Sequence, residues 1–419
     1  MKVVITAGGK GTRIREVTGE IPKAMIPVAG KPVIEYQIEL AKRYGFTDFL
    51  FLIGHLGEQI EQYFGNGSKF GVTIDYYHET EPLGTAGAFK EMEHLLTEDF
   101  WVFYGDTVMD IDMLRMFDFH CQQQSDATLF LHPNDHPYDS DLVDIDEHQR
   151  ITAFYPKPHN NQCYYKNLVN AALYILSPKM LDYIPKGKRT DFGKNIFPVA
   201  LEENTVIYGY VSPEYIKDMG TPDRYEKVCD DITSGKVARL NIKNPRPAIF
   251  LDRDGVISKE VDLLAHPDQL ELLPGAAEAL IKINKSGYLA VIVTNQPVIA
   301  RNLCTLDELQ QIHNKLETLL GQEHAYVDAI YFCPHHPDKG YPEERKEYKI
   351  ACECRKPKPG MLFNAKRDLN IDMSQSYMIG DREIDAEAGI SAGVKQSFVI
   401  TSNEPDALLN VVGKILNKS

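Results

Sequence analysis

Short apolar runs closed by glycine, aspartate or asparagine recur through both halves of this 419-residue chain, with helical patterning between them. That alternation limits the fold more than any other feature. In the first half the runs are KVVITA at 2–7, FTDFLFLIG at 46–54, VTIDYYHE at 72–79, DFWVFYGD at 99–106, DATLFLH at 126–132 and ALYIL at 172–176. In the second half PAIFLDRDG at 247–255, YLAVIVTNQ at 288–296, AIYFC at 329–333 and SYMIGDRE at 376–383 repeat the pattern. Runs of this kind separated by helices predict parallel α/β sheets. The chain is too long for one ordinary core, so two domains are expected. The helical stretch DRYEKVCDDITSGK at 223–236 closes the first series. NIKNPRPA at 241–248, with two prolines among polar residues, reads as a linker before a fresh strand. The expected domains are 1–240 and 241–419, with no fixed-period repeat in either.

The charge balance narrows the partners. With 45 Lys and Arg against 60 Asp and Glu, the net charge of −15 repels a phosphate polyanion over most of the surface. Nucleic acid and anionic membrane are therefore not expected partners, whereas a small phosphorylated substrate needs only a local cationic pocket. The opening MKVVITAGGKGTR carries an apolar run of about five residues, short of the ~7–15 of a secretory core, and reads as a first strand. No apolar stretch approaches the ~18 residues of a membrane span, so the expected location is the cytoplasm. Of seven cysteines, Cys121, Cys163, Cys229 and Cys304 are scattered singly. A disulfide framework is not expected in such a chain. Cys333, Cys352 and Cys354 cluster with histidines and call for another explanation.

Residues 6–13, TAGGKGTR, follow the first strand directly. Gly8, Gly9 and Gly11, with Thr12 beside them, let backbone N–H groups approach phosphate oxygens, and Lys10 and Arg13 add positive charge. A tight strand-to-helix turn is the plain alternative. Lys23 then stands between prolines in Pro22-Lys23-Ala24-Met25-Ile26-Pro27, followed by LGTAGA at 83–88, YGD at 104–106, VNAALYIL at 169–176 and KDMGTPDRY at 217–225. In this order the motifs resemble the sugar-1-phosphate nucleotidyltransferases, over residues 1 to about 230. The resemblance implies a Rossmann-like sheet on which a sugar phosphate oxygen attacks the nucleotide α-phosphorus and pyrophosphate leaves. It assigns Arg13 to the leaving pyrophosphate and Lys23 to the α-phosphate, both catalytic. Asp106 and Asp218 would jointly hold Mg²⁺, a hard ion that suits two carboxylates. Gly8, Gly9, Gly11, Thr12, Gly84, Thr85 and Gly87 would bind the nucleotide, and Lys157 and Asn170 the sugar phosphate. Pro156 departs from the family, which carries an acidic residue before that lysine.

The second series begins with Asp252-Arg253-Asp254-Gly255-Val256 at the end of a strand. Two carboxylates spaced by one residue can divide the work of nucleophile and proton carrier, although a D-x-D-G turn is common by itself. Thr294-Asn295 ends the next strand, Arg355-Lys356-Pro357 supplies cations, and Gly380-Asp381 ends another with Asp385 nearby. This ordered set resembles the haloacid-dehalogenase-like phosphatases, from 247 to about 400. By that match Asp252 is the nucleophile, Asp254 the general acid and base, and Thr294, Asn295, Arg355 and Lys356 contact the phosphoryl group or sugar. Mg²⁺ would be held by Asp252, Asp381 and the Asp254 carbonyl. Cys333, His335, Cys352 and Cys354 offer three thiolates and one imidazole, a closed tetrahedral set that suits a structural Zn²⁺, with His336 as the competing imidazole. The whole loop resembles that of the D-glycero-D-manno-heptose 1,7-bisphosphate phosphatases and, less closely, the histidinol phosphatases. Pro297-Val298 stands where the family continues with Ser-Gly.

Together the two resemblances imply consecutive steps of nucleotide-activated heptose synthesis, of the kind that feeds lipopolysaccharide or S-layer glycans. The 7-phosphate is removed first, then a nucleotidyl group, GMP from GTP by resemblance, is transferred to heptose 1-phosphate. The same chemistries on a mannose-type or deoxysugar 1-phosphate, or a nucleotide-sugar sensor, are the alternatives. An assembly of identical chains is compatible with either.

Overall fold

The computed structural model describes residues 1–9, 11, 14, 16, 19–338, 340 and 343–417. The chain divides into two compact units, and not by a single cut. The first comprises Met1–His132, Val143–Pro156 and Asn170–Ile242; the second comprises Pro133–Leu142, Lys157–Val169 and Lys243–Ser419. The NIKNPRPA stretch is anchored at both ends. Asn241 donates to Asp110 Oδ1 at 2.7 Å and Ile242 N–H to Glu214 Oε1 at 3.0 Å in the first unit. Arg246 N–H donates to the Asn370 carbonyl at 3.2 Å in the second.

The main sheet of the first unit is mixed. Val3–Ala7 lies at its heart, parallel to Asp48–Ile53 on one side and to Phe100–Tyr104 on the other, and Thr73–His78 extends the parallel run. Val169–Leu176 joins antiparallel to Phe100–Tyr104. Val3, Val4, Ile5, Phe49 to Phe51 and Trp101 to Phe103 are all fully buried. Such continuous apolar runs mark strands covered on both faces. Helix Val33–Arg43 buries Val33, Ile34, Gln37, Ile38, Leu40 and Ala41. A separate two-stranded ladder pairs Tyr215–Asp218 with Thr107–Asp110. The sequence runs foresaw the long buried strands but not this ladder, because four-residue strands are too short to show a period.

The second unit holds a five-stranded, wholly parallel sheet in the order Ala329–Cys333, Leu289–Asn295, Ala248–Leu251, Tyr377–Gly380, Gln396–Val399. Successive residues of the central strand enter different cores, Ile249 and Leu251 one, Ala248 and Phe250 the other. Helices Ala276–Lys285, Leu306–Gln322 and Ala407–Leu416 fill the first core, and Gly360–Leu369 and Glu383–Ala392 cover the second. The chain leaves the central strand to one side and later returns on the other. The carboxyl ends of Ala248–Leu251 and Tyr377–Gly380 therefore flank a switch point, where open α/β sheets place their ligands. Among the described residues no helix is long and apolar enough to cross a membrane.

Candidate active sites

In the first unit the Gly-rich loop leaves the carboxyl end of Val3–Ala7, and Gly105-Asp106 leaves that of its parallel neighbour Phe100–Tyr104. Asp218 comes from far along the chain, yet the short ladder sets it opposite Thr107, and Met219 N–H donates to the Asp106 carbonyl at 3.0 Å. The structure thus brings Asp106 and Asp218 together. Lys23 is ion-paired with Asp106. Burial pushes the Asp218 pKa up, but Arg224 outweighs it by donating to Oδ1 and Oδ2 at 3.0 and 2.7 Å, with help from Gly220 N–H and the Lys23 charge. The net effect holds Asp218 below the usual carboxylate range. Two hard carboxylates on neighbouring backbone fit a divalent cation once Lys23 and Arg224 yield to it. Arg224 was not singled out from the sequence.

The glycine positions differ in what explains them. Gly8 and Gly9 directly follow the strand Val3–Ala7 and Gly11 has φ +58°, while Thr12 and Arg13 lie outside the described residues. Gly84 has φ +82°, and a Cβ there would collide with the Thr190 carbonyl oxygen. Its neighbour Thr85 donates to Asp191 Oδ2 at 2.8 Å and accepts from Phe192 N–H at 3.1 Å. A Cβ on Gly87 would meet the Lys188 carbonyl. The 83–88 loop is therefore pinned to the 188–192 segment, which by itself accounts for these residue types. Asn170 accepts from Ala172 N–H at 3.3 Å. Lys157 belongs to the second unit, where its ammonium binds the Asp139 carbonyl at 2.7 Å and carboxylate at 2.9 Å.

In the second unit Asp252 follows the central strand and Asp381 follows its neighbour. Their carboxylates and that of Asp385 lie within 4.8 Å of one another. Lys356 Nζ stands 2.9 Å from Asp252 Oδ1 and 2.6 Å from Asp385 Oδ1, and it donates to the Val293 carbonyl at 2.7 Å. Burial lowers the Lys356 pKa, but Asp252 and Asp385 outweigh it and hold the lysine charged. Burial also raises the Asp252 pKa, only partly opposed by Lys356, and burial raises that of Asp381. Asp381 Oδ1 is buried and accepts no hydrogen bond, as an oxygen awaiting a cation would. The donor set fits Mg²⁺.

Asp254 was expected to give the metal its backbone carbonyl and to keep its carboxylate for proton transfer. Its carboxylate is absent from this cluster and faces Arg253 at 2.9 and 2.8 Å, Gln296 Nε2 at 2.9 Å and Ser258 Oγ at 3.1 Å. Burial raises its pKa, yet the fully buried Arg253 guanidinium more than offsets this and keeps it low. Asp385 completes the carboxylate trio, and no role was assigned from sequence to it, Arg253 or Gln296. Gly255, at φ +77°, brings the loop so close that a Cβ would strike Asp381 Oδ2 and Ser402 Oγ. Thr294 is buried and its hydroxyl accepts from Gln296. Asn295 spends its amide on the Lys356 backbone, donating to the carbonyl at 3.1 Å and accepting from N–H at 3.1 Å, so it positions the lysine. Arg355 likewise donates to the His335 carbonyl at 3.0 Å.

The thiols of Cys333, Cys352 and Cys354 lie 3.2 to 3.5 Å apart, and His335 Nδ1 is 3.7 Å from Cys333 Sγ and 3.4 Å from Cys354 Sγ. A tetrahedron with Zn–S bonds of ~2.3 Å has sulfur–sulfur edges of about 3.8 Å, so the cluster can close around one metal ion with little movement. His336 is outside it, with Nδ1 3.9 Å from Asp338.

A nucleotidyl transferase family model matches residues 2–235, and a haloacid dehalogenase-like hydrolase model matches residues 173–393. The chain is 39% identical over 159 residues to the D-glycero-beta-D-manno-heptose-1,7-bisphosphate 7-phosphatase of Photorhabdus laumondii, covering 38% of this chain and 82% of that protein. It is 30% identical over 266 residues to the UTP–glucose-1-phosphate uridylyltransferase of Synechocystis, covering 60% and 68%. To the mannose-1-phosphate guanylyltransferase of Mycobacterium tuberculosis it is 32% identical over 234 residues, covering 55% and 64%.

Proposed function

Because the chain belongs to both the nucleotidyl transferase and the haloacid dehalogenase-like hydrolase families, we propose that it carries out two consecutive steps of nucleotide-activated heptose synthesis. The observation that carries this reading is the Asp252–Lys356–Asp381–Asp385 cluster, on a segment 39% identical to a heptose bisphosphate phosphatase. Along the sequence the transferase part gives way to the phosphatase part near residue 241, and the enzyme works in the cytoplasm, where thiols stay reduced for metal binding.

In the phosphatase half Asp252 attacks the 7-phosphoryl group, while Lys356 and Thr294 hold its oxygens. Asp252, Asp381 and Asp385, with the Asp254 carbonyl, would hold Mg²⁺, which would supply neutralisation of phosphoryl charge. Arg253 keeps Asp254 ionised in the free enzyme. The arriving phosphoryl dianion raises the Asp254 pKa by like-charge repulsion, so that Asp254 takes up a proton from solvent and passes it to the leaving oxygen. Ionised again, it takes a proton from the water that hydrolyses the aspartyl-phosphate. Cys333, His335, Cys352 and Cys354 would hold Zn²⁺, which would shape the loop that leads into Arg355 and Lys356.

In the transferase half Lys23 and Arg13 neutralise the α-phosphate and the leaving pyrophosphate, and Asp106 and Asp218 would hold Mg²⁺. Catalysis there is alignment and charge neutralisation, with no covalent enzyme intermediate. GTP is the nucleotide of this reading; the relationship to a mannose-1-phosphate guanylyltransferase supports guanine and also supports a mannose-type sugar as the second reading. The test is phosphate release from D-glycero-D-manno-heptose 1,7-bisphosphate, followed by pyrophosphate release from each of the four nucleoside triphosphates with heptose 1-phosphate or mannose 1-phosphate. Turnover of the bisphosphate and then of GTP with heptose 1-phosphate is expected. Turnover with mannose 1-phosphate alone moves the enzyme to the second reading, and turnover with neither removes both.

A further inference from the structure

Gln37 lies on the inward face of helix Val33–Arg43, where every other buried position is apolar, and it has no exposed surface. Its Nε2 donates to the carbonyl oxygens of Tyr104 at 2.8 Å and Thr107 at 2.7 Å. Those two carbonyls bracket Gly105-Asp106, the turn that carries the metal-binding aspartate. The amide orientation follows from its partners, since a flipped oxygen would face two acceptors. Gln37 Oε1 is left buried without a hydrogen-bond partner. A buried unpaired amide oxygen is costly, and an apolar side chain of the same length would avoid it. The helix thus retains an amide whose one visible product is the pinning of the Asp106 turn. Other backbone ties of the turn are Gly105 N–H to the Thr6 carbonyl at 2.9 Å, Met219 N–H to the Asp106 carbonyl at 3.0 Å, and the ladder that pairs Thr107 with Asp218. Gln37 supplies the tie on the helix side.

We propose that Gln37 is a positioning residue for the transferase reaction: by clamping the two carbonyls around Asp106 it holds that carboxylate where it and Asp218 can take one divalent cation together with the nucleotide. The proposal rests on the reading of Asp106 and Asp218 as the Mg²⁺ pair. A carboxylate displaced by a fraction of an ångström would bind metal-free nucleotide as before but lose part of the tightening that the metal brings.

The experiment compares the dissociation constant of GTP in EDTA with that in excess Mg²⁺, by calorimetry on the full chain without sugar phosphate. Whichever nucleoside triphosphate the pyrophosphate assay selects replaces GTP if the two differ. The ratio of the two constants is the readout. Gln37→Met is expected to shrink that ratio about tenfold, with the metal-free constant within twofold of wild type. Asp106→Asn should abolish most of the ratio, and adding Gln37→Met to it should change nothing further, because the clamp acts through that side chain. An unchanged ratio in Gln37→Met, or an equal loss in both backgrounds, overturns the proposal. An unchanged ratio in Asp106→Asn instead overturns the metal assignment beneath it. Should Gln37→Met fail to fold, Gln37→Asn, which keeps the donor one methylene short, is expected to show a loss of about threefold in the same ratio.

Discussion

The two sites handle phosphate with the same residue types and opposite exposure. In the phosphatase half the side chains of Lys356 and Asp385 are each 1% exposed, and Asp381 is 3% exposed. In the transferase half Asp106 is 30% and Asp218 45% exposed, with each carboxylate already paired to a cation of the protein. A nucleophile that must be covalently phosphorylated and then released gains from desolvation and a locked ammonium. A site that only aligns two bound substrates has to admit both, and can leave charge neutralisation to groups that rearrange when they arrive. The same aspartate is thus a rigid part in one half and an exchangeable contact in the other.

The sharpest way to break this comparison is Asp252→Asn. Phosphate release should fall by about 10⁴-fold or more, since no other carboxylate can take over covalent attack, while pyrophosphate release stays within twofold. Loss of both activities would show that the halves are not chemically independent. Asp106→Asn is the mirror test. It should lower pyrophosphate release by roughly 10²–10³-fold, because one preorganised charge contact is lost rather than the reaction's only nucleophile. Phosphate release is the control.

Metal removal separates the halves by stability. Cys354→Ser, or a strong chelator, should strip one zinc per chain as read by elemental analysis, and should destabilise the phosphatase unit by several kcal/mol. The unfolding transition of the transferase unit should not move. Retention of zinc in Cys354→Ser would exclude the four-ligand site.

The smallest effect is electrostatic and belongs to the transferase half. Burial pushes the Glu214 pKa up to about 7, against hydrogen bonds from Ile242 N–H, Asp112 N–H and Ser212 Oγ that favour its ionised form. The folded state keeps the proton to about pH 7, whereas the unfolded chain loses it near pH ~4.3. Stability from this group is therefore present at low pH and lost as pH rises between those values. Glu214→Gln should gain on wild type by on the order of 1–3 kcal/mol between pH ~4.5 and ~7.5, measured by urea unfolding of the first unit. A constant difference across that range would place the carboxylate in water.

What the sequence determined by itself was local. Strand-end aspartates, the Gly-rich loop and the C-x-H and C-x-C pairs announce themselves because a strand's apolar run and the residue that closes it are neighbours in the chain. The roles expected of Asp106, Asp218, Asp252 and Asp381 came from their places in family motifs, and those of Cys333, His335, Cys352 and Cys354 from their spacing and residue types. The tertiary structure alone decided how distant side chains are shared. Asp385 joins the trio because its helix starts at the sheet's switch point. Arg253 turns inward onto Asp254, Asn295 spends its amide on the backbone of Lys356, and Gln37 reaches Tyr104 and Thr107 some seventy residues away. The placement of Pro133–Leu142 and Lys157–Val169 in the second unit belongs to the same class. An arginine, asparagine or glutamine reads as surface in one dimension, because burial becomes favourable only when a partner arrives from elsewhere to satisfy it.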